Sequence, residues 1–203
     1  MNKIKEFWEW FLTVSDEYRE INNLNDAEEI EKLLDKLLYH LHIYCEKLYF
    51  EIGGDDSVYE LIITAEGNKK FFSKVVDLVN AAPVLPGWEI IAFKPAQGIN
   101  FTTEYDDILF TPTDMWFDPL YNGNYPKELG IKVFIPNMTF ANKESYVNGV
   151  YKVLDTILGE KVFAMDIKYL EVGDLPMDPL GVGLIKLIEL PAYINWFKNK
   201  YGE

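Results

Sequence analysis

The segment from Phe101 to Tyr125 holds the side chains best suited to recognise a ligand. Its carboxylates are interleaved with aromatic residues, and no lysine or arginine occurs between Lys94 and Lys127. Aromatic rings provide contact area at low entropic cost, and unpaired carboxylates attract cations. We therefore expect a surface for a basic protein, peptide or amine, formed by Asp106, Asp107, Asp114, Trp116, Phe117, Asp118 and Tyr121.

The same segment has a purely structural interpretation. Aromatic residues are mainly core material, so these rings could fill the interior between two halves of the chain while the acids are solvated loop residues. A second acidic loop with Glu171, Asp174 and Asp178 would extend the negative surface if it folded beside the first.

Few residues of the sequence fit a known catalytic or metal-binding arrangement. His40 and His42 are the only histidines, and two residues apart on a helix they face different directions, so they do not form a chelating pair. A histidine beside a leucine stripe is more often structural than a general base. The serines have no G-x-S-x-G context, and the acidic spacing does not match an EF-hand loop. We predict no cofactor and no metal site.

The joint from Thr64 to Asn68 follows a strand and precedes a helix, where α/β units commonly bind anions. It has one glycine instead of a glycine-rich loop, and Glu66 places a carboxylate where an anion would lie. We predict that Thr64 or Asn68 caps the helix and that Glu66 interacts with its positive end.

The net charge of −14 constrains the partner. Arg19 is the only arginine, and arginine is the usual residue for bidentate phosphate contacts, so nucleic acid and anionic membranes are disfavoured. A basic protein would be attracted, although negative charge also keeps a protein soluble without any partner. The single cysteine, Cys45, is expected to be buried, and a cytoplasmic location is expected because no export signal or membrane span is evident.

The elements that position these residues follow from periodicity. Residues 1–45 predict a helical hairpin, with Phe7, Phe11, Val14, Tyr18 and Ile21 on one stripe and a second helix that begins with a cap at Asn25. Residues 46–95 predict strand, strand, helix and strand, with a Gly/Asp turn at 53–56 and a helix stopped by Pro83 and Pro86.

Residues 96–128 form an irregular segment, in which Pro112 and Pro119 confine any strands to edges, bulges or loops. Residues 129–203 predict a strand over 129–135, a helix capped by Asn142 and stopped by Gly159, and a long strand over 162–172. A short strand over 184–188 and a terminal helix with Pro191 in its first turn complete the chain.

Residues 47–94 and 108–170 thus show the same order of elements. The predicted fold is a single α+β domain over 1–203, with a mixed sheet built from two strand-strand-helix-strand halves and the helical hairpin packed alongside.

The run LIITAEGN, a helix and AAPVLPGWEIIAFKP, together with the GVGLIKLIELPAYI tail, resembles small acidic bacterial proteins of unknown function. The resemblance covers residues 58–95 and the tail. It implies an expectation about the fold and nothing about catalysis.

We expect a non-enzymatic binding protein that neutralises a basic partner, as an immunity protein or antitoxin does. One alternative is a small hydrolase or metal-assisted enzyme that uses Asp106, Asp107, Asp114 or Glu66, which requires those carboxylates to converge in a pocket. The other is a structural protein that associates with itself.

Overall fold

The computed structural model describes residues 2–21, 24–54, 57–139 and 141–201. The backbone divides into two compact units, Met1–Lys94 and Pro95–Glu203. Both combine helices with a sheet, which confirms the predicted α+β class. The prediction that residues 1–203 form one domain stays a prediction. Within the described ranges, none of the helices has the length and apolar character needed to cross a membrane.

The described residues of the first unit form three α-helices and one three-stranded sheet. In chain order its elements are α1 (Lys3–Arg19), α2 (Ala27–Tyr44), β1 (Tyr49–Gly54), β2 (Tyr59–Thr64), a 3₁₀ turn (Lys69–Phe71), α3 (Phe72–Asn80) and β3 (Trp88–Ala92).

Helices α1 and α2 form the predicted hairpin. The stripe from Phe7 to Ile21 is buried, and the Tyr18 hydroxyl donates a 2.9 Å hydrogen bond to the Leu33 carbonyl of α2. The predicted cap at Asn25 is wrong by one residue, because Asp26 accepts a 2.9 Å hydrogen bond from the Glu28 amide. Either side chain can cap, and the local backbone conformation decides which one does.

Strand β2 is the centre of the first sheet. It pairs antiparallel with β1 and parallel with β3, so α3 is a crossover between parallel neighbours. Leu61 and Ile63 face the helices and are fully buried. Part of the predicted β1–β2 turn, Asp55 and Asp56, lies outside the described residues. Cys45 ends α2 and is half-buried, against the expectation of full burial.

The only arginine of the sequence, Arg19, makes contacts within the first unit. The Arg19 guanidinium donates a hydrogen bond to the Pro86 carbonyl and forms a 3.1 Å ion pair with Asp16. Gly87 makes this contact feasible, because a Cβ there would lie 2.9 Å from Arg19 Nη2. Arg19 therefore connects the end of α1 to the loop before β3.

The second unit contains a two-stranded hairpin and a four-stranded sheet. Its elements are β4 (Thr103–Tyr105), β5 (Ile108–Phe110), a 3₁₀ turn (Pro112–Asp114), β6 (Trp116–Leu120), β7 (Leu129–Ile135), α4 (Lys143–Leu158), α5 (Glu160–Asp166), β8 (Ile167–Asp174), β9 (Ile185–Lys186), a 3₁₀ turn (Leu187–Glu189) and α6 (Leu190–Tyr201).

The four-stranded sheet has the order β8-β7-β6-β9. Strands β6 and β7 are antiparallel, and β7 and β8 are parallel with α4 and α5 between them. This is the same pattern as β1, β2, α3 and β3, so the predicted strand-strand-helix-strand repeat is confirmed. The two copies contribute to separate sheets.

Of three predictions about this unit, one is wrong and two are confirmed. The predicted strand over 162–172 begins instead as α5, and β8 starts only at Ile167. Gly159 ends α4 as predicted, but its positive φ of 74° redirects the chain into a second short helix. Pro119 lies in β6 beyond the end of β9, which pairs only with Trp116 and Phe117, so Pro119 is at an edge as expected.

One face of this sheet carries the core. Phe117 from β6 and Ile131 and Val133 from β7 pack with α4 and α6. Ile194 and Phe197 of α6 are buried, in agreement with the predicted terminal helix.

Candidate functional site

The pair Asp106-Asp107 forms the two-residue turn between β4 and β5. Tyr105 pairs with Ile108, and the two aspartates have φ of 50° and 60°. This is the backbone of a type I′ hairpin, in which aspartate is one of the few tolerated residues. Both side chains are exposed.

The hairpin is held against α4. Lys152 Nζ donates to the Glu104 carbonyl at 3.2 Å, and Asn148 Nδ2 donates to the Tyr105 hydroxyl at 3.3 Å. The fully buried Phe110 ring lies over Gly149, where a Cβ would approach its Cζ to 2.1 Å. The carboxylates at the tip are therefore presented by a packed element.

Asp114 is positioned by the next turn of the chain. It ends the 3₁₀ turn at Pro112–Asp114, and its side chain is exposed while Met115 beside it is buried. Lys186 Nζ fixes this turn by donating to the Thr113 carbonyl at 3.0 Å.

Asp107 and Asp114 line one depression of about 480 Å³. Its apolar lining includes Met115 and Ile135, which are buried, and Leu109, which is exposed. None of the described residues that line it is basic. The depression therefore combines an apolar surface with two negative charges.

The opposite side of the depression comes from the joint between β7 and α4. Pro136 and Asn137 line it, and Asn137 has a φ of 65°. The joint is braced by Asn142, whose Oδ1 accepts hydrogen bonds from the amide and hydroxyl of Thr139 at 2.6 and 3.0 Å. Asn142 flanks α4 as predicted, but its oxygen bonds Thr139 rather than a helix amide.

Tyr146 of α4 also lines the depression. Its side chain is only 6% exposed, and its ring packs edge-on against Phe110 with centroids 5.7 Å apart. Its hydroxyl has no hydrogen-bond partner among the described residues. Sequence reasoning missed Asn137 and Tyr146. The repeat could have indicated them, because it places a second strand-to-helix joint here.

The structure does not bring all of the predicted contact residues together. Asp106 adjoins Asp107, but Asp118 lies on the sheet face opposite Phe117, with Lys132 as its cross-strand neighbour. Tyr121 is 64% exposed and lines a different depression of about 370 Å³, whose lining includes both Glu128 and Lys168. Its hydroxyl is 2.6 Å from that of Tyr193, and burial together with this contact raises the pKa of Tyr193.

Two predicted contact residues are buried. Phe117 is fully buried in the core, and Trp116 is 7% exposed with Lys186 Nζ 4.2 Å from its ring centroid. Both rings are buried, as the structural interpretation expected of the aromatics, but Phe117 belongs to the core of the second unit, and a partner cannot contact it directly. The sequence could not distinguish them from Tyr121, because the adjacent residues Trp116 and Phe117 are both buried and β6 therefore does not alternate between buried and exposed side chains here.

The carboxylates of the segment remain exposed. In the part of the chain that the structure describes, Asp106, Asp107, Asp114 and Asp118 form no salt bridge and their side chains accept no hydrogen bond. Among the same residues, no group of three or more His, Cys, Asp or Glu side chains is placed to hold a metal ion. The hydrolase alternative requires carboxylates that converge in a pocket; Asp107 and Asp114 line one depression, and Asp106 and Asp118 are not among its lining residues.

One acid of the second acidic loop, Asp174, lies beside a residue that lines the depression. Asp174 pairs in register with Ile135, and its Oδ1 accepts a 3.2 Å hydrogen bond from the Met138 amide. Glu171 instead forms a 3.6 Å ion pair with Lys132, and Asp178 accepts from the Gly181 amide.

At the first strand-to-helix joint, Asn68 caps the 3₁₀ turn that leads into α3, as predicted, but α3 itself has no side-chain cap. Thr64 Oγ1 accepts from the Glu66 amide at 2.9 Å, and Asn68 Oδ1 accepts from the Lys70 amide at 3.3 Å. The Glu66 carboxylate lies 3.3 Å from Lys94 Nζ, so it pairs with a lysine.

The histidines have structural contacts. His40 stacks on Trp10 at 3.8 Å between ring centroids, and His42 Nε2 lies 3.0 Å from the Leu48 carbonyl. Burial beside Trp10, aided by Lys36, lowers the pKa of His40 against the opposing effect of Glu6.

No protein-family model matches the chain, and no curated protein or solved structure is similar to it.

Proposed function

We propose that the protein is a non-enzymatic acidic binding protein that captures, and thereby neutralises, a basic protein partner through the carboxylates of residues 101–125. The observation that carries the proposal is that the four aspartates of this segment are exposed and, within the described residues, unpaired. Elsewhere many acids already have cations, as in the pairs Lys32–Glu28 and Lys132–Glu171.

The local charge supports attraction of a cationic surface. Five acids and no basic residue occur between Lys94 and Lys127. Charges on an exposed surface steer a complementary partner and fix its orientation, at a strength that falls with salt. The rigid mounting of the β4–β5 hairpin on α4 limits the entropy lost when a partner binds.

The test compares two variants of equal net charge. In the segment variant, Asp106, Asp107, Asp114 and Asp118 are replaced by asparagine, which tolerates the positive φ of the hairpin turn. In the control, Glu29 and Glu31 are replaced by glutamine, and Asp35 and Asp77 by asparagine. These four are exposed acids of the first unit.

The probe is a fluorescent peptide of alternating lysine and glycine, measured by anisotropy at about 0.01 M and about 1 M salt, where the Debye length is about 30 Å and about 3 Å. We expect salt-sensitive binding that is weakened about tenfold more by the segment variant than by the control. Equal weakening by both variants would show that only total charge matters, and would refute the proposal. So would a wild-type chain that does not bind at low salt.

A further inference from the structure

We infer that the depression lined by Asp107, Asp114 and Tyr146 is a receptor for one lysine side chain of the basic partner. The inference rests on the proposed function, and it specifies which chemical group the partner inserts and where.

The first step is the charge of the depression. Asp107 and Asp114 both line it, and none of its described lining residues is basic. An anion would be repelled here, whereas a cation would face two carboxylates that form no ion pair with any of the described residues.

The second step is the hydroxyl of Tyr146. Tyr146 is only 6% exposed, and its phenol has no hydrogen-bond partner in the described parts of the chain. Its oxygen is not one of the solvent-excluded polar atoms that lack a partner, so it retains access to solvent at the depression and can accept a hydrogen bond from a ligand there. This observation is independent of the two carboxylates.

The third step is the shape of the ligand. Leu109, which lines the depression and is 66% exposed, supplies apolar surface for an aliphatic chain. A lysine side chain has a four-carbon stem that packs on apolar groups and an ammonium with three donors. Asp107, Asp114 and Tyr146 provide three acceptor-bearing side chains, which match that number. The planar fork of arginine is better suited to one carboxylate held bidentately.

The test uses n-butylammonium, which has the chemistry of a lysine side chain. Backbone amide NMR shifts are followed for wild type, for Tyr146→Phe, and for the pair Asp107→Asn with Asp114→Asn. We expect saturable shifts at Asn137, Met115 and Tyr146. The Tyr146→Phe change keeps the ring and should weaken binding about threefold to tenfold through loss of one hydrogen bond.

Matched probes define the ligand class. Butanol has the same stem without the charge, and n-butylguanidinium has the arginine head group. We expect both to bind more weakly than n-butylammonium, and we expect n-butylammonium to compete with the lysine peptide. Tighter binding of the guanidinium, shifts that map elsewhere, or equal binding by Tyr146→Phe would each overturn the inference.

The two proposals fail in different ways. If the lysine peptide depends on the four aspartates but n-butylammonium does not bind in the depression, the lysine receptor is refuted and the proposed function stands. If n-butylammonium binds there but the peptide responds equally to the segment and control variants, the proposed function is refuted.

Discussion

Glu66 and Asn137 occupy equivalent positions in the two halves of the chain. Each lies two residues beyond the strand that precedes a crossover helix, and each has a positive φ, of 50° and 65°. Their environments differ. Glu66 is paired with Lys94, whereas Asn137 lines a depression that carries two carboxylates. A residue with positive φ therefore belongs to an ion-paired joint in one half and to a candidate binding site in the other.

The pH dependence of stability should include a contribution from His40. Its folded pKa lies below the ordinary value of 6.5, so the unfolded chain binds the proton more tightly. The free energy of unfolding should therefore fall as pH decreases through about 6.5 toward the folded pKa. Because there are only two histidines, NMR titration of their ring protons measures this directly. A His40 midpoint at or above 6.5 would contradict the prediction, and Trp10→Leu should move the midpoint upward.

Substitution Gly149→Ala should destabilise the second unit. The added methyl would lie 2.1 Å from the buried Phe110 ring, and overpacking of this kind costs about 1–3 kcal/mol. Alanine gains about 1 kcal/mol in helix propensity, so the expected net loss is up to about 2 kcal/mol. Urea unfolding measures it, with Gly123→Ala as control because a Cβ there meets nothing within 4 Å. A Gly149→Ala variant that is about 1 kcal/mol more stable than the wild type would show that Phe110 moves without cost, because only the propensity gain would then remain.

Substitution Arg19→Lys should lower the free energy of unfolding by about 1–3 kcal/mol, because one ammonium cannot reproduce the fork that reaches both Pro86 and Asp16. The control is Lys5→Gln, whose partner Glu9 is solvent-exposed, and its expected effect is within about 0.5 kcal/mol. Denaturant unfolding compares the two. A loss for Arg19→Lys no larger than for the control would mean that the contact between α1 and the Pro86 loop is dispensable.

The regular elements were largely predictable because burial imposes a period on the sequence. Three segments were predicted in this way, each as one helix face or one buried strand: the stripe from Phe7 to Ile21, the run Leu61 to Ile63 and the strand over 129–135. Turns and caps were less predictable. Asp26 rather than Asn25 caps α2, and residues 160–166 form a helix, because local hydrogen bonds and the φ of Gly159 decide between near-equivalent conformations.

The sequence by itself determined the acidic character of the protein, the exclusion of a histidine chelate, the strand-strand-helix-strand repeat and the segment that holds the free carboxylates. Only the tertiary structure decided that Phe117 is core while Asp107 and Asp114 share a depression with Tyr146. The reason is physical. Composition and period report which residues are polar or apolar along one element, whereas the lining of the depression combines a hairpin and the turn after it with a strand end and a helix from later in the chain.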